Sequence, residues 1–333
     1  MTYKIEDMDG KRVLITGGLG FVGSNLAIKC VSLGAKVTIF SKTLENIRNI
    51  NEIKDKVNIV QGDITKYEDV EKVITNQEII FHLAGQTSHI TSMKNPYLDL
   101  DINLVGTLNI LETCRKHNRS AKIIFAGTVT ELGKAKTLPI NENMKDDPLT
   151  IYETNKLIGE KYLEIYHNVY GLYTTTLRFA TLFGERQQLN NPRFGITTYF
   201  LGRILKGEEI TIYGDGMFIR DYNYVENVVD ALLLSAQNAN ANGQTFCLGT
   251  NRRIYFIDMV KEVIKATKEV FGKEGSFRLV EFPKEHQKID VGDTLVDYSK
   301  IKEKIGWEPK ISFEEGIRKT ICFYKNKLGE YPL

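Results

Sequence analysis

The sequence has 333 residues, 42% of them apolar and 26% charged, an ordinary globular composition that excludes a disordered chain. Its 44 basic and 42 acidic residues are dispersed, giving a formal charge of +2 without a basic block, so no nucleic-acid partner is expected. The opening MTYKIEDMDGKR lacks the apolar core of a signal peptide and no apolar run reaches membrane-spanning length, so no membrane partner is expected and a cytoplasmic location is read. Cys30, Cys114, Cys247 and Cys322 have no paired spacing, which suits reduced thiols and gives no sign of a metal site.

Short β-rich apolar runs alternate with longer helical patterns through the first half. Strands are predicted at 12–16, 36–40, 57–60, 78–84, 122–127 and 173–180, and helices at 21–33, 66–74, 96–117 and 149–170. Asp63, Asn95 and Asp147 or Pro148 are the expected helix starts. This alternation predicts an α/β chain with a Rossmann-type, doubly wound parallel sheet. After Gly184 the polar, turn-rich ERQQLNNPRFG changes the pattern, and later helices mix with isolated short strands, which predicts a smaller C-terminal α/β substrate-binding subdomain. The amphipathic stretch 223–237 suits the first domain. The expected division is therefore 1–184, with a return at about 221–250, against 185–220 and 251–333.

Between the first strand and first helix lies TGGLGFVG, with Gly17, Gly20 and Gly23 at three-residue spacing. Glycines at such a turn let backbone amides approach a pyrophosphate and let the helix press on the sheet, so a dinucleotide site is expected there. Tyr152 and Lys156, in YETNK, stand one turn apart on one helix face, where an ammonium can favour an ionised phenol. Bringing a tyrosine from its usual value near 10 toward neutrality takes roughly three units, or about 4 kcal/mol.

These features together resemble the extended branch of the short-chain dehydrogenase/reductase family. Thr128, five residues before Gly133, occupies that branch's catalytic serine or threonine position, and Tyr152 and Lys156 match its YxxxK. HLAG at 82–85 resembles the segment beside the nicotinamide, and NLVGTLN at 103–109 resembles NxxGTxN. The resemblance implies cofactor contacts from Gly17, Gly20, Phe21 and Val22 in the loop, Asp63 and Ile64 beside the adenine, and Leu83, Ala84 and Gly85 beside the nicotinamide, with Tyr152 and Lys156. The second strand ends in Ser41 and Lys42, with Arg48 nearby, and carries no carboxylate to repel a 2′-phosphate, so NADP is favoured over NAD.

The resemblance further implies a nucleotide sugar oxidised at C4 to a 4-keto intermediate, with Tyr152 as acid/base, Lys156 tuning it and Thr128 orienting the reacting oxygen. Dehydratases of the branch carry an acid two positions after the catalytic threonine. Here Thr128 is followed by Val129 and Thr130, with Glu131 one place late, and AGQTSHITSMKNP resembles epimerase members. An epimerase on a UDP-hexose or UDP-N-acetylhexosamine is therefore expected, with a 4,6-dehydratase, a 4-ketoreductase or, more remotely, a non-catalytic NADP-binding regulator as alternatives. Glu131 and His89 are candidates for a second acid/base, and Gln86 and Ser88 for sugar contacts. YGDGMFIRDYNYV at 213–225, with Arg220, and KEHQKIDVGD at 284–293, with Lys288 or His286, resemble diphosphate-binding stretches, and Thr181 stands where the UDP-galactose epimerase has an asparagine. The helical patterns 96–117 and 149–170 match, by the resemblance, those that form a four-helix dimer contact in related enzymes, so a homodimer is expected, with burial of both helices within one subunit as the alternative.

Overall fold

The computed structural model describes residues 3–192 and 195–333, without the side chains of Glu285 and His286, so the His286 reading lies outside the described residues. Six strands, β1 (Arg12–Thr16), β2 (Lys36–Ser41), β3 (Asn58–Gln61), β4 (Ile79–His82), β5 (Lys122–Thr128) and β6 (Tyr173–Phe179), join a seventh at Gln244–Leu248 in one sheet. Its spatial order is Gln244–Leu248, β6, β5, β4, β1, β2, β3, and every pairing is parallel. The order reverses between β1 and β4. A crevice therefore opens where their carboxyl ends diverge, the place where open α/β sheets receive ligands.

Both faces of the sheet are covered, as alternation along β1 shows. Val13 and Ile15 enter the core formed with helix α1 (Phe21–Ser32) and the helix Val225–Gln237. Leu14 enters the other core, built with α2 (Tyr67–Ile74) and residues of two helices described below.

Local chemistry moved several expected boundaries. The 96–117 pattern is not one regular helix. After the short α3 (His89–Lys94), α4 (Pro96–Asp99) passes through a π-helical segment, Leu100–Val105, into α5 (Gly106–His117). Asn95 does start it, accepting from the Leu98 amide at 3.2 Å. The last helix of this half, α6 (Ile151–Tyr170), starts from neither Asp147 nor Pro148. Thr150 and Glu153 form a capping box that satisfies the first-turn amides reciprocally. Nor does Asp63 begin a helix: its carboxylate accepts from the Thr65 amide and hydroxyl, closing a turn, and α2 starts four residues later.

Beyond β6, two-stranded pairs stand beside the large sheet: Thr181–Phe183 with Tyr222–Tyr224, Ile210–Tyr213 with Phe277–Val280, and Ile219–Arg220 with Ile254–Tyr255. They pack with helices Ile196–Lys206, Phe256–Phe271 and Phe313–Lys327, whose buried Leu201, Val260 and Tyr324 continue the core that contains Val13 and Ile15. Among the described residues no helix is long and apolar enough to cross a membrane.

Candidate active site

The glycine loop is shaped for close approach. Gly17 has φ 69°, and a Cβ there would stand 2.9 Å from the Ala84 backbone, while one on Gly23 would stand 2.4 Å from the Gly17 carbonyl oxygen. Gly20 is the N-cap of α1, no side chain caps that helix and its first turn holds no acid. The amide-rich positive end of α1, at Phe21 and Val22, is thus suited to an anion, and these residues fit a dinucleotide pyrophosphate.

A chain of hydrogen bonds ties the glycine strand to the segment after β4. The Ala84 amide donates to Thr16 Oγ1 at 3.1 Å, and Thr16 Oγ1 lies 2.9 Å from His82 Nδ1. His82 Nε2 lies 3.0 Å from Thr107 Oγ1, and the Thr107 hydroxyl donates to the Asn103 carbonyl at 2.6 Å. Since Thr107 spends its proton on Asn103, it must accept from His82 Nε2, and Thr16 must donate to Nδ1. Burial, and then the charge of Lys156, push the imidazole pKa down to about 3, so the ring is neutral.

The motif at 103–109 braces the remaining loops. Asn103 clamps the Gln86 backbone, accepting from its amide at 3.1 Å and donating to its carbonyl at 2.9 Å. Gly106 packs on Ile64, which a Cβ would approach to 2.7 Å, and Asn109 donates to the Ile64 carbonyl at 2.9 Å. Leu83, Ala84 and Gly85 are thereby set above β4, and Asp63 and Ile64 beside the end of β3. Lys42 Nζ lies 2.8 Å from Asp63 Oδ2, and the Ser41 hydroxyl donates to the Thr43 carbonyl at 3.0 Å. Arg48 is drawn elsewhere, over the Tyr331 ring at 5.3 Å and onto Asn46. Lys42 is left as the cation at the end of β2.

Thr128 ends β5, and Tyr152 and Lys156 lie in the first turns of α6; all three are buried. The Thr128 side chain is close enough to the phenol to favour its ionised form. Lys156 Nζ sits 4.1 Å from the centre of the Phe125 ring and 4.0 Å from where a Cβ on Gly85 would lie, facing the nicotinamide-side segment. The expected lowering of the Tyr152 pKa is not what this geometry gives. Burial pushes the phenol up, with Glu131, Asp99 and Glu153 adding to it, and outweighs Thr128. Burial likewise holds Lys156 down, to about 8, against the charges of Glu131 and Asp99. Burial thus favours the neutral phenol and lowers the affinity of Lys156 for its proton.

Around this trio the structure separates the remaining candidates. His89 is partly exposed, and its ring meets that of Tyr152 edge-on, 5.0 Å between centres at 73°. Glu131 is fully buried: Oε1 accepts from the Thr128 amide at 2.9 Å and Oε2 lies 3.3 Å from Arg178 Nε. Burial, then the charge of Glu160, push its pKa up to about 8. Gln86 spends both ends of its amide inside its own loop, donating to Ser88 O at 3.0 Å and Asp99 Oδ2 at 2.6 Å and accepting from the Ser88 amide. Ser88 caps α3, accepting from Thr91. Asp99, fully buried, also accepts from Asn155 Nδ2 at 2.7 Å, linking α4 to the helix of Tyr152. Sequence reading missed Asp99, because an aspartate within a helical pattern reads as a solvated one.

On the opposite side Arg220 draws together the two segments with diphosphate-like patterns. Its guanidinium donates to Asp290 at 3.0 Å and to the Gly292 carbonyl at 2.6 Å, and lies 4.6 Å over the Phe218 ring. Thr181 donates its amide to the Asp221 carbonyl at 3.2 Å, and Lys288 is exposed.

A doubly wound sheet with a glycine-loop anion site and a buried Thr–Tyr–Lys trio at the carboxyl ends of its strands defines an NAD(P)-dependent enzyme. Residues 14–320 match the family model described as GDP-mannose 4,6 dehydratase. The chain is 33% identical over 320 residues to a putative UDP-glucose 4-epimerase of Methanocaldococcus jannaschii, covering 94% of this chain and 98% of that protein. Among solved structures it is similar to UDP-glucose 4-epimerase of Thermotoga maritima with UDP-glucose, at TM-score 0.85 and 33% identity, covering 95% of this chain and 99% of that one. It is also similar to the Thermus thermophilus UDP-glucose 4-epimerase complex with NAD, at TM-score 0.83 and 28% identity, covering 94% and 99%. The chain belongs to the nucleotide-sugar epimerase/dehydratase branch of the extended short-chain dehydrogenase/reductase family.

Proposed function

We propose that the protein is a nucleotide-sugar epimerase that uses NADP and acts on a UDP-hexose or UDP-N-acetylhexosamine through oxidation at C4. The observation that carries the choice of epimerase is the position after the catalytic threonine. Two residues on stands Thr130, whose hydroxyl lies 2.9 Å from that of Thr128, and the neighbouring Glu131 is fully buried, with Oε1 accepting from the Thr128 amide and Oε2 facing Arg178. No acid is thus offered where a dehydratase needs one to move protons between C5 and C6. Bound cofactor would supply the acceptor and donor of hydride.

The chain's own residues divide the remaining work. Thr128 orients the C4 oxygen, Tyr152 exchanges its proton, and Lys156 is the cation on the same helix face. His89, edge-on to Tyr152, is the better-placed second acid/base. Gly17, Gly20, Phe21 and Val22 hold the pyrophosphate, and Ser41 with Lys42 receive the 2′-phosphate. Segments 1–184 and about 221–250 form the cofactor domain. Segments 185–220 and 251–333 hold the nucleotide sugar, with Arg220, Lys288 and Thr181 at the nucleotide and Ser88 and Gln86 at the sugar loop. Exposed Tyr97, Ile165 and Val169, at 77%, 48% and 66%, support a homodimer through the 96–117 and 149–170 helices, and a cytoplasmic location fits this activity.

The test is to incubate the protein with UDP-hexoses and UDP-N-acetylhexosamines in deuterium oxide and read the products by NMR. Inversion at C4 without exchange, or inversion at C3 or C5 with deuterium at the inverted carbon, supports the epimerase. Loss of the C6 hydroxyl to give a 4-keto-6-deoxy sugar would establish the dehydratase instead, and net NADPH consumption a 4-ketoreductase.

A further inference from the structure

We propose that Glu131, Arg178 and Glu160 form a buried polar brace that fixes the separation of Thr128 from Tyr152, which makes Glu131 a positioning residue. The inference rests on the catalytic reading of Thr128 and Tyr152. These two residues lie on different elements, one ending β5 and the other in the first turn of α6, with the short helical turn Val129–Leu132 between them. The Asp147 amide donates to the Glu131 carbonyl at 3.1 Å across the connecting segment, and side chains supply the further ties.

Three pairings make up the brace. Thr128 donates its amide to Glu131 Oε1 at 2.9 Å, and Glu131 Oε2 lies 3.3 Å from Arg178 Nε. Arg178 is in β6, where it pairs with Gly127 across the ladder. Its Nε and Nη2 donate to Glu160 Oε2 and Oε1 at 2.8 and 2.7 Å, a two-pronged grip on α6. Glu160 lies four residues beyond Lys156 and eight beyond Tyr152, so the grip falls on the same helix face two turns along. Gly127 keeps the junction open: a Cβ there would stand 3.3 Å from Glu131 Oε1 and 3.4 Å from Arg178 Cγ.

Stability alone does not account for a carboxylate at 131. Arg178 is already gripped by Glu160 and also donates to Asp146 at 2.9 Å, so one guanidinium serves three acids. A cavity of about 210 Å³ lined by Asp146, Glu160 and Arg178 admits water to that end, whereas Glu131 is fully buried and does not line it. Burying a further carboxylate on a shared cation is costly, and a neutral residue could cap the short turn. What the carboxyl adds is a contact that runs from the threonine through Arg178 to the helix of the tyrosine.

The experiment compares Glu131→Ala and Glu131→Gln with the wild type, both in turnover of the nucleotide sugar identified above and in hydrogen exchange at the Thr128 amide. Glu131→Ala removes both contacts and should lower kcat roughly ten- to hundred-fold while KM stays within about three-fold, the signature of displaced catalytic groups. Its Thr128 amide should exchange at least about ten-fold faster. Glu131→Gln keeps the acceptor for Thr128 but turns an amide N–H toward Arg178, and kcat should fall between the two. Wild-type kcat in both variants, or unaltered protection of Thr128 in Glu131→Ala, would overturn the brace. Should the alanine variant fail to fold, the near-isosteric glutamine variant decides on kcat alone, wild-type turnover overturning the proposal. Absence of turnover in the wild type itself would count against the epimerase reading, and amide exchange would then decide the brace separately.

Discussion

Glu153 Oε1 lies 3.0 Å from His89 Nδ1, while its Oε2 accepts from the Leu149 and Thr150 amides at 2.6 and 2.9 Å. One buried carboxylate therefore starts the catalytic helix and holds the ring that rests against Tyr152. His89→Ala removes that ring and leaves the capping box in place. We expect kcat to fall about ten-fold or more with an unchanged KM for the nucleotide sugar, as for loss of a proton-transfer partner. Steady-state kinetics check this, and an unaltered kcat would remove His89 from the acid/base candidates.

Tyr152→Phe keeps the buried ring and its contact with His89 but deletes the hydroxyl. Turnover should drop by about 10²–10⁴ while binding of the nucleotide sugar, measured by calorimetry, stays close to wild type. Residual activity near the wild-type level would dismiss the phenol as the proton carrier.

Lys42 is the cation left beside Ser41 once Arg48 is turned to Tyr331. Lys42→Ala should weaken NADP roughly ten-fold and leave NAD within about two-fold, since only one of the two carries a charge there. Fluorescence titration of both cofactors makes the comparison. Equal losses would mean that the lysine acts through Asp63 and does not select the phosphate.

His82 gives a pH prediction with a definite sign. Its folded pKa, near 3, lies below the unfolded value of about 6.5, so between those limits the unfolded chain binds the extra proton. Stability contributed by the neutral ring is complete above about pH 6.5 and is lost as pH falls toward 3, by up to about 1.4 kcal/mol per unit. In His82→Asn this component should vanish, giving a flatter fall in urea-unfolding free energy over that range. A parallel fall in both proteins would place the acid sensitivity elsewhere.

The sheet, the glycine loop and the spacing of Thr128, Tyr152 and Lys156 were legible because each is a local pattern: alternation, turn chemistry, one helical turn. Asp99, Arg178 and Glu160 were not. Their roles come from partners at a distance, Asn155 for Asp99 and Glu131 for Arg178, and nothing in the residues nearby announces them. Burial was equally invisible. The expected help from Lys156 to the phenol assumed a solvated pair, and the dry site reverses the direction of the Tyr152 shift. The helix break at Leu100–Val105 escaped notice too, since a π-helical segment leaves the apolar spacing almost intact.

Asn103, Gly106, Thr107 and Asn109 reach the end of β4 and the segments that follow β3 and β4 from less than two turns of a single helical stretch. Removing or inserting one residue at its start would rotate all four by about 100°. The adenine side and the nicotinamide side would lose their alignment together. Substitutions can tune these two places separately, but the length of the segment leading into α5 is a common setting for both.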